Sequence, residues 1–304
     1  MAKELRSLDG KVVAITGAAR GIGRATAQAL VAERAKVAIG DLELGLAERT
    51  ASELGSDTIA VELDVTRRDS FAEFLAQVEE RLGPVDVLIN NAGIMPIGPF
   101  LEEDDATAKR MVDINLHGVI YGMKLALPGM VRRGSGHLVN ISSQAGKGGF
   151  PGGATYCGTK HAVVGISEAV RAELVDTGVE VSVVMPAIVN TELADGLVES
   201  RGVKKLEPED VAAAIVAALK SPKFDVWVPR ETVAIYKVLQ LLPRRGREAV
   251  ARLLKADKVL AGADSAKRVG YEDRAAHSEP GLEPEAEGAA DAGSEKAEKE
   301  PAVG

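Results

Sequence analysis

Short runs of aliphatic and β-branched residues alternate with longer segments of helical spacing along the first 225 or so residues. Runs at 11–16, 36–40, 58–63, 85–89, 137–141, 179–185 and 225–228 are largely apolar throughout, as strands covered on both faces must be. Helical spacing falls at 21–33, 43–54, 69–81, 104–132, 154–176 and 208–220, the last opened by Pro208 in its first turn behind Glu207. This alternation predicts βαβ units wound into one α/β domain over 1–228: a Rossmann-type, doubly wound, parallel seven-stranded sheet with helices on both faces.

Past residue 228 the texture changes. Residues 229–258 carry eight bases against three acids, with Pro243 dividing two amphipathic stretches. Ile235, Val238, Leu239 and Leu242 recur at helical spacing in the first, and Val250, Leu253 and Leu254 extend an apolar stripe in the second. The pattern predicts a basic amphipathic helical extension over 229–261 at the rim of an active site, suited to peripheral contact with an anionic membrane surface. From about 262 onward Ala, Gly, Glu, Ser and Pro dominate, which predicts a disordered acidic tail over 262–304.

Composition narrows the function classes. The formal charge is −8, but residues 275–304 hold eight acids against two bases, so the remainder of the chain is near neutral. With 3% aromatics and no basic stripe, nucleic-acid binding is not expected. The single Cys157 forms no internal disulfide, and His117, His137, His161 and His277 lack partners at ligand spacing, so no metal site is expected. No signal peptide and no run of 18 apolar residues is present, and a cytoplasmic chain is expected.

The first strand runs into Thr16, Gly17, Ala18, Ala19, Arg20, Gly21, Ile22 and Gly23, then a helix. Gly17 and Gly21 permit a tight turn, Gly23 permits close helix packing, and the helix N-terminus offers free N–H groups to a pyrophosphate. The G-x-x-x-G-x-G spacing differs from the G-x-G-x-x-G fingerprint. Asp41 ends the second strand and would face the adenosine ribose hydroxyls, which favours NAD, although a helix cap is the plain alternative. A 2′-phosphate about 4 Å away would be repelled by roughly 4 kcal/mol at an effective dielectric near 20. Arg20 could offset part of this, so NADP is disfavoured rather than excluded. Asp64-Val65 and Asn90-Asn91-Ala92-Gly93 close the third and fourth strands, where ligands bind open α/β sheets.

Tyr156 and Lys160 lie four apart on a predicted helix, about 40° apart in projection, and share a face. An adjacent ammonium is expected to lower the tyrosine pKa and make it a usable acid and base. Ser143, at the end of a strand, could bond the same substrate oxygen, and Asn115 could hold a water for proton relay. An isolated Tyr-x-x-x-Lys pair is ordinarily a solvated helix face. The ordered set of motifs over residues 7 to about 228 is what resembles the short-chain dehydrogenase/reductase family.

That resemblance implies Tyr156 as catalytic acid/base, Lys160 also on the nicotinamide ribose, Ser143 orienting the carbonyl and Asn115 completing a tetrad. Pro186, Ile188 and Thr191 would lie along the nicotinamide, with Ala187 where the family usually has glycine. The helices at 104–132 and 154–176 are similar to the family's dimer-forming pair, which implies a homodimer or homotetramer. The end of the chain, V-W-V-P followed by L-L-P-R-R and a basic helix, is similar to those of membrane-associated 17-beta-hydroxysteroid and retinol dehydrogenases. The expected activity is hydride transfer between NAD(P) and a small alcohol or ketone, with a lipophilic substrate of steroid, retinoid or fatty-alcohol type. Two rivals are an NADPH-dependent 3-oxoacyl-thioester reductase and a non-catalytic nucleotide-sensing or lipid-surface protein.

Overall fold

The computed structural model describes residues 5–198 and 205–276. Seven strands form one sheet: β1 (Val12–Thr16), β2 (Lys36–Asp41), β3 (Thr58–Glu62), β4 (Val87–Asn90), β5 (Gly136–Ile141), β6 (Val179–Pro186) and β7 (Asp225–Val228). Their order is β3-β2-β1-β4-β5-β6-β7, and every pairing is parallel. The order reverses between β1 and β4, so the crevice beyond their carboxyl ends is where an open α/β sheet takes a ligand.

Both faces of the sheet are buried, which explains its apolar strands. Along β1, Val13 and Ile15 enter one core layer while Val12 and Ala14 enter the other. The first layer is closed by α1 (Gly21–Ala32), α2 (Leu44–Leu54) and α7 (Pro208–Lys220). The second is closed by α3 (Arg68–Leu82), α5 (Gly118–Arg133) and α6 (Ala154–Glu173), with Phe71, Phe74 and Met123 at its centre. The helix expected at 104–132 is α4 (Asp105–Val112) continued into α5 through a π-helical turn, Asp113–His117. Pro208 opens α7 inside a capping box made by Glu207 and Asp210.

Beyond β7 come α8 (Thr232–Gln240) and α9 (Arg244–Leu253), divided at Pro243. Ile235 and Leu239 line the cleft beside the sheet, and Ile235, Val238, Leu241 and Leu253 are exposed. The expected disorder from 262 onward needs correction, because Ser265–Ala276 form a further helix, α10. Asp264 caps its start by accepting the Ala266 N–H, and Arg268 and Ala275 are buried. A composition averaged over 262–304 hides this short cap-and-helix signal. The rest of that expected tail, 277–304, lies outside the described residues.

Candidate active site

The turn after β1 is held open by glycine. Gly17 has φ +62°, and a Cβ on it would lie 2.8 Å from the Ala92 Cα. A Cβ on Gly23 would lie 2.4 Å from the Gly17 carbonyl oxygen, so α1 can start this close to β1 only without a side chain there. The Thr16 hydroxyl accepts the N–H groups of Asn91 and Ala92, each at 3.0 Å. Asn91 returns its amide to the carbonyls of Thr16 and Gly17 at 3.0 and 2.8 Å. Asn91 thus clamps the ends of β1 and β4 together. The start of α1 has no side-chain cap and no acid in its first turn, so its N–H groups are left for an anion.

At the end of β2, Asp41 accepts the N–H groups of Ala19 at 2.9 Å and Glu43 at 3.2 Å. Burial raises its pKa above the ordinary carboxylate value, against the opposing pull of those two N–H groups and Arg20. Arg20 does not stand free to reach a phosphate as expected. It is ion-paired with Glu43 at 2.5 Å and Glu192 at 3.4 Å, and both carboxylates line the same cleft as Asp41. After β3, Asp64 folds back on Thr66, accepting its N–H at 2.9 Å and its hydroxyl at 2.7 Å.

Tyr156 and Lys160 share the inner face of α6 and are 7% and 5% exposed. The Lys160 Nζ lies 5.7 Å from the Tyr156 ring centre and donates to the Ile141 carbonyl at 3.0 Å. Ser143, just past β5, lines the cleft with Tyr156 and accepts the Ala145 N–H at 3.1 Å. The expected depression of the tyrosine pKa is corrected here. Burial pushes Tyr156 up to about 12, only partly opposed by Ser143, and pushes Lys160 down to about 8. Desolvation is the leading cause of both shifts, because a buried group pays to carry charge whichever sign it has.

Asn115 sits in the π-helical turn and is 1% exposed. Its amide brackets Ile94, accepting the N–H and donating to the carbonyl at 2.8 Å each, and also donates to Thr159 at 3.2 Å. Both amide hydrogens are therefore taken within the protein, and the side chain fixes the loop after β4. His137 bonds Ser182 in the core, where burial pushes it down to about 4, and His161 bonds the Cys157 carbonyl. Among the described residues no group of three or more His, Cys, Asp or Glu could hold a metal.

Every expected site residue except Gly23 and Asn115 lines a single cleft of about 1620 Å³, and those two support its walls from behind. That includes Ile22 behind the turn, Val65 beyond β3, Gly93 after β4, and Pro186, Ile188 and Thr191 beyond β6. Its residues fit a dinucleotide: the turn admits no side chain, the start of α1 is uncapped, and Asp41 faces the same space. Sequence reasoning missed Glu43, Glu192 and the C-terminal Tyr271 and Arg274, all of which line the cleft. The last two carry no motif, and their one local signal is the Arg268–Glu272 spacing of four.

A parallel sheet with this glycine turn, an acid closing its second strand and Ser143 beside a buried Tyr-Lys pair defines a nucleotide-dependent oxidoreductase of the doubly wound class. A family model described as short chain dehydrogenase matches residues 11–202, and the chain belongs to that family. It is 36% identical over 231 residues to an uncharacterized oxidoreductase of Staphylococcus saprophyticus, covering 72% of this chain and 94% of that protein. It is 38% identical over 191 residues to sorbitol dehydrogenase of Cereibacter sphaeroides, covering 62% and 75% respectively. A crystal structure of a short chain dehydrogenase/reductase from Burkholderia phymatum in complex with NAD superposes with a TM-score of 0.72 at 27% identity, covering 78% of this chain and 95% of that one. No described helix is long and apolar enough to cross a membrane.

Proposed function

We propose that the protein is an NAD-preferring dehydrogenase of alcohols with an apolar body. The observation that carries this reading is one continuous cleft holding both the 17–21 turn with Asp41 and the Ser143, Tyr156 and Lys160 group. When bound, the nicotinamide takes up or supplies the hydride. Asp41 accepts the ribose hydroxyls, and the N–H groups of α1 receive the pyrophosphate. Ser143 orients the substrate oxygen and Tyr156 moves the proton on it. Burial keeps the phenol neutral at working pH, the form that donates a proton to a carbonyl oxygen. In the oxidative direction the phenol first releases its proton to solvent in the cleft, and the resulting phenolate beside Lys160 takes the alcohol proton. The adjacent walls support an apolar substrate, since Met95, Phe150, Ile188, Leu197, Val259 and Leu260 surround Tyr156.

Glu43 tells against the NADPH-dependent thioester reductase, because its ion pair with Arg20 takes up the cation that would otherwise offset the repulsion between Asp41 and a 2′-phosphate. By the same reading the chain assembles as a homodimer or homotetramer, which sedimentation tests. Exposed Val238 in α8, Leu241 just after it and Leu253 among the bases of α9 support contact with an anionic lipid surface, tested by liposome flotation. The main experiment is a panel of secondary alcohols, steroids, retinoids and acyl thioesters with both cofactors, followed by absorbance of the reduced nicotinamide. NAD-dependent oxidation of apolar alcohols is expected, and tighter binding of NADPH than NADH overturns the cofactor assignment.

A further inference from the structure

The family match ends at residue 202, yet α10 reaches back into the site from 265–276. Arg268, 2% exposed, donates to the carbonyls of Met95, Leu193 and Asp195 at 2.8, 2.9 and 3.0 Å, and its Nε bonds Glu272 at 2.8 Å. A buried guanidinium with four directed bonds ties three separate segments together. Tyr271 lies under it, with 4.9 Å between guanidinium carbon and ring centre, and its hydroxyl accepts the Met95 N–H at 2.6 Å. Both peptide groups of Met95 are thus held by α10, while those of Ile94 are held by Asn115. The loop past β6 is fastened from the same side: Asp264 donates its N–H to the Gly196 carbonyl at 2.9 Å, and Arg274 pairs with Glu192 at 2.8 Å.

Tyr271 lines the cleft beside apolar Met95, Val259 and Leu260. Its oxygen already accepts a bond, which leaves its own proton to donate into an otherwise apolar wall. We propose that Tyr271 determines specificity by donating a hydrogen bond to a second oxygen of the substrate, and that Arg268 is the positioning residue that holds it there. The substrate class is then an apolar-bodied diol, hydroxyketone or diketone. This rests on the dehydrogenase reading above. Burial raises the Tyr271 pKa, and the nearby Tyr156 raises it further, so Tyr271 stays a donor while Tyr156 exchanges its proton.

The test compares cyclohexanol with cyclohexane-1,2-diol as substrates of the full chain with NAD. Wild type is expected to favour the diol, and Tyr271→Phe to lose about three- to tenfold more in kcat/KM for the diol than for cyclohexanol, the effect of one neutral hydrogen bond. The NADH dissociation constant is expected to stay within twofold, and the smaller loss for cyclohexanol measures the release of the Met95 N–H, which both probes share. Arg268→Met is expected to raise KM for both probes and to speed amide exchange at Met95. If that variant does not fold, Arg268→Lys, which keeps the charge, takes its place with the same expectation in weaker form. Equal losses for both probes in Tyr271→Phe, or no loss for the diol, overturn the role of Tyr271. Unchanged KM and Met95 exchange in the Arg268 variants overturn the positioning role. A wild type that binds NADH but oxidises neither probe overturns the dehydrogenase reading, and this inference with it.

Discussion

Replacing Lys160 with methionine separates the electrostatics of burial from catalysis. In the folded protein burial lowers the Lys160 pKa from the ordinary 10.5 to about 8. Below pH 8 the native state carries a buried ammonium whose desolvation costs stability. Between about pH 8 and 10.5 the folded protein has released that proton while the unfolded chain still binds it, so stability rises with pH across this window. At 1.36 kcal/mol per unit, the whole interval is worth about 3 kcal/mol. The bond from Nζ to the Ile141 carbonyl survives deprotonation, because a neutral amine still donates, and it contributes mainly a constant offset. Urea unfolding of the cofactor-free protein at pH 7 and pH 10 measures the effect, with Lys160→Met cancelling every other titration. With a slope of about 3 kcal/mol/M, the midpoint of wild type should gain close to 1 M on the variant between the two pH values. A midpoint difference that stays constant with pH would refute a desolvated Lys160, even if the variant is inactive.

Tyr156→Phe is expected to lower kcat by about 10² to 10⁴ while leaving the NADH dissociation constant within twofold, since the phenol acts on substrate oxygen. Retention of more than about a tenth of kcat, with chemistry rate-limiting, removes Tyr156 from that role. Asp41→Ala should narrow the preference for NADH over NADPH by about tenfold, and adding Glu43→Ala should narrow it further by releasing Arg20; titration by nicotinamide fluorescence reads both. Gly23→Ala drives a Cβ to 2.4 Å from the Gly17 oxygen, so NADH affinity should fall more than tenfold and the melting temperature should drop; unchanged affinity contradicts the close approach of α1 to β1.

The strands and the first seven helices were legible because burial on both faces forces near-continuous apolar strands, and because helix starts carry their own chemistry. Pro208 behind Glu207 marked α7 to the residue, and the apolar run at 179–185 marked β6 to within one residue. Gly17, Asp41 and Tyr156 were legible for a different reason: each meets a local demand, a positive φ, a strand-end carboxylate or a helical spacing of four, that shows in one dimension. The role given to Asn115 was legible only as a position. Its partners, Ile94 and Thr159, are 21 and 44 residues away, and nothing local announces that both amide hydrogens are taken.

What escaped the sequence was set by distance along the chain and by burial. A Tyr-x-x-x-Lys pair suggests that the ammonium lowers the phenol pKa, and that inference holds wherever water screens little and solvates both groups equally. In this protein the phenol packs among Met95, Ile188, Val259 and Leu260, and burial is the leading cause of the shift at each group, so the phenol rises while the amine falls. Val259 and Leu260 are there because α10 fastens its end of the chain to Met95 and to the loop past β6. The proton chemistry of residues 156 and 160 is therefore tuned by a segment more than 95 residues further on. The motif supplies the reacting groups, and the C-terminal segment supplies the low dielectric in which they react. It follows that relatives sharing the motif but ending differently should differ in the pH dependence of the same tyrosine.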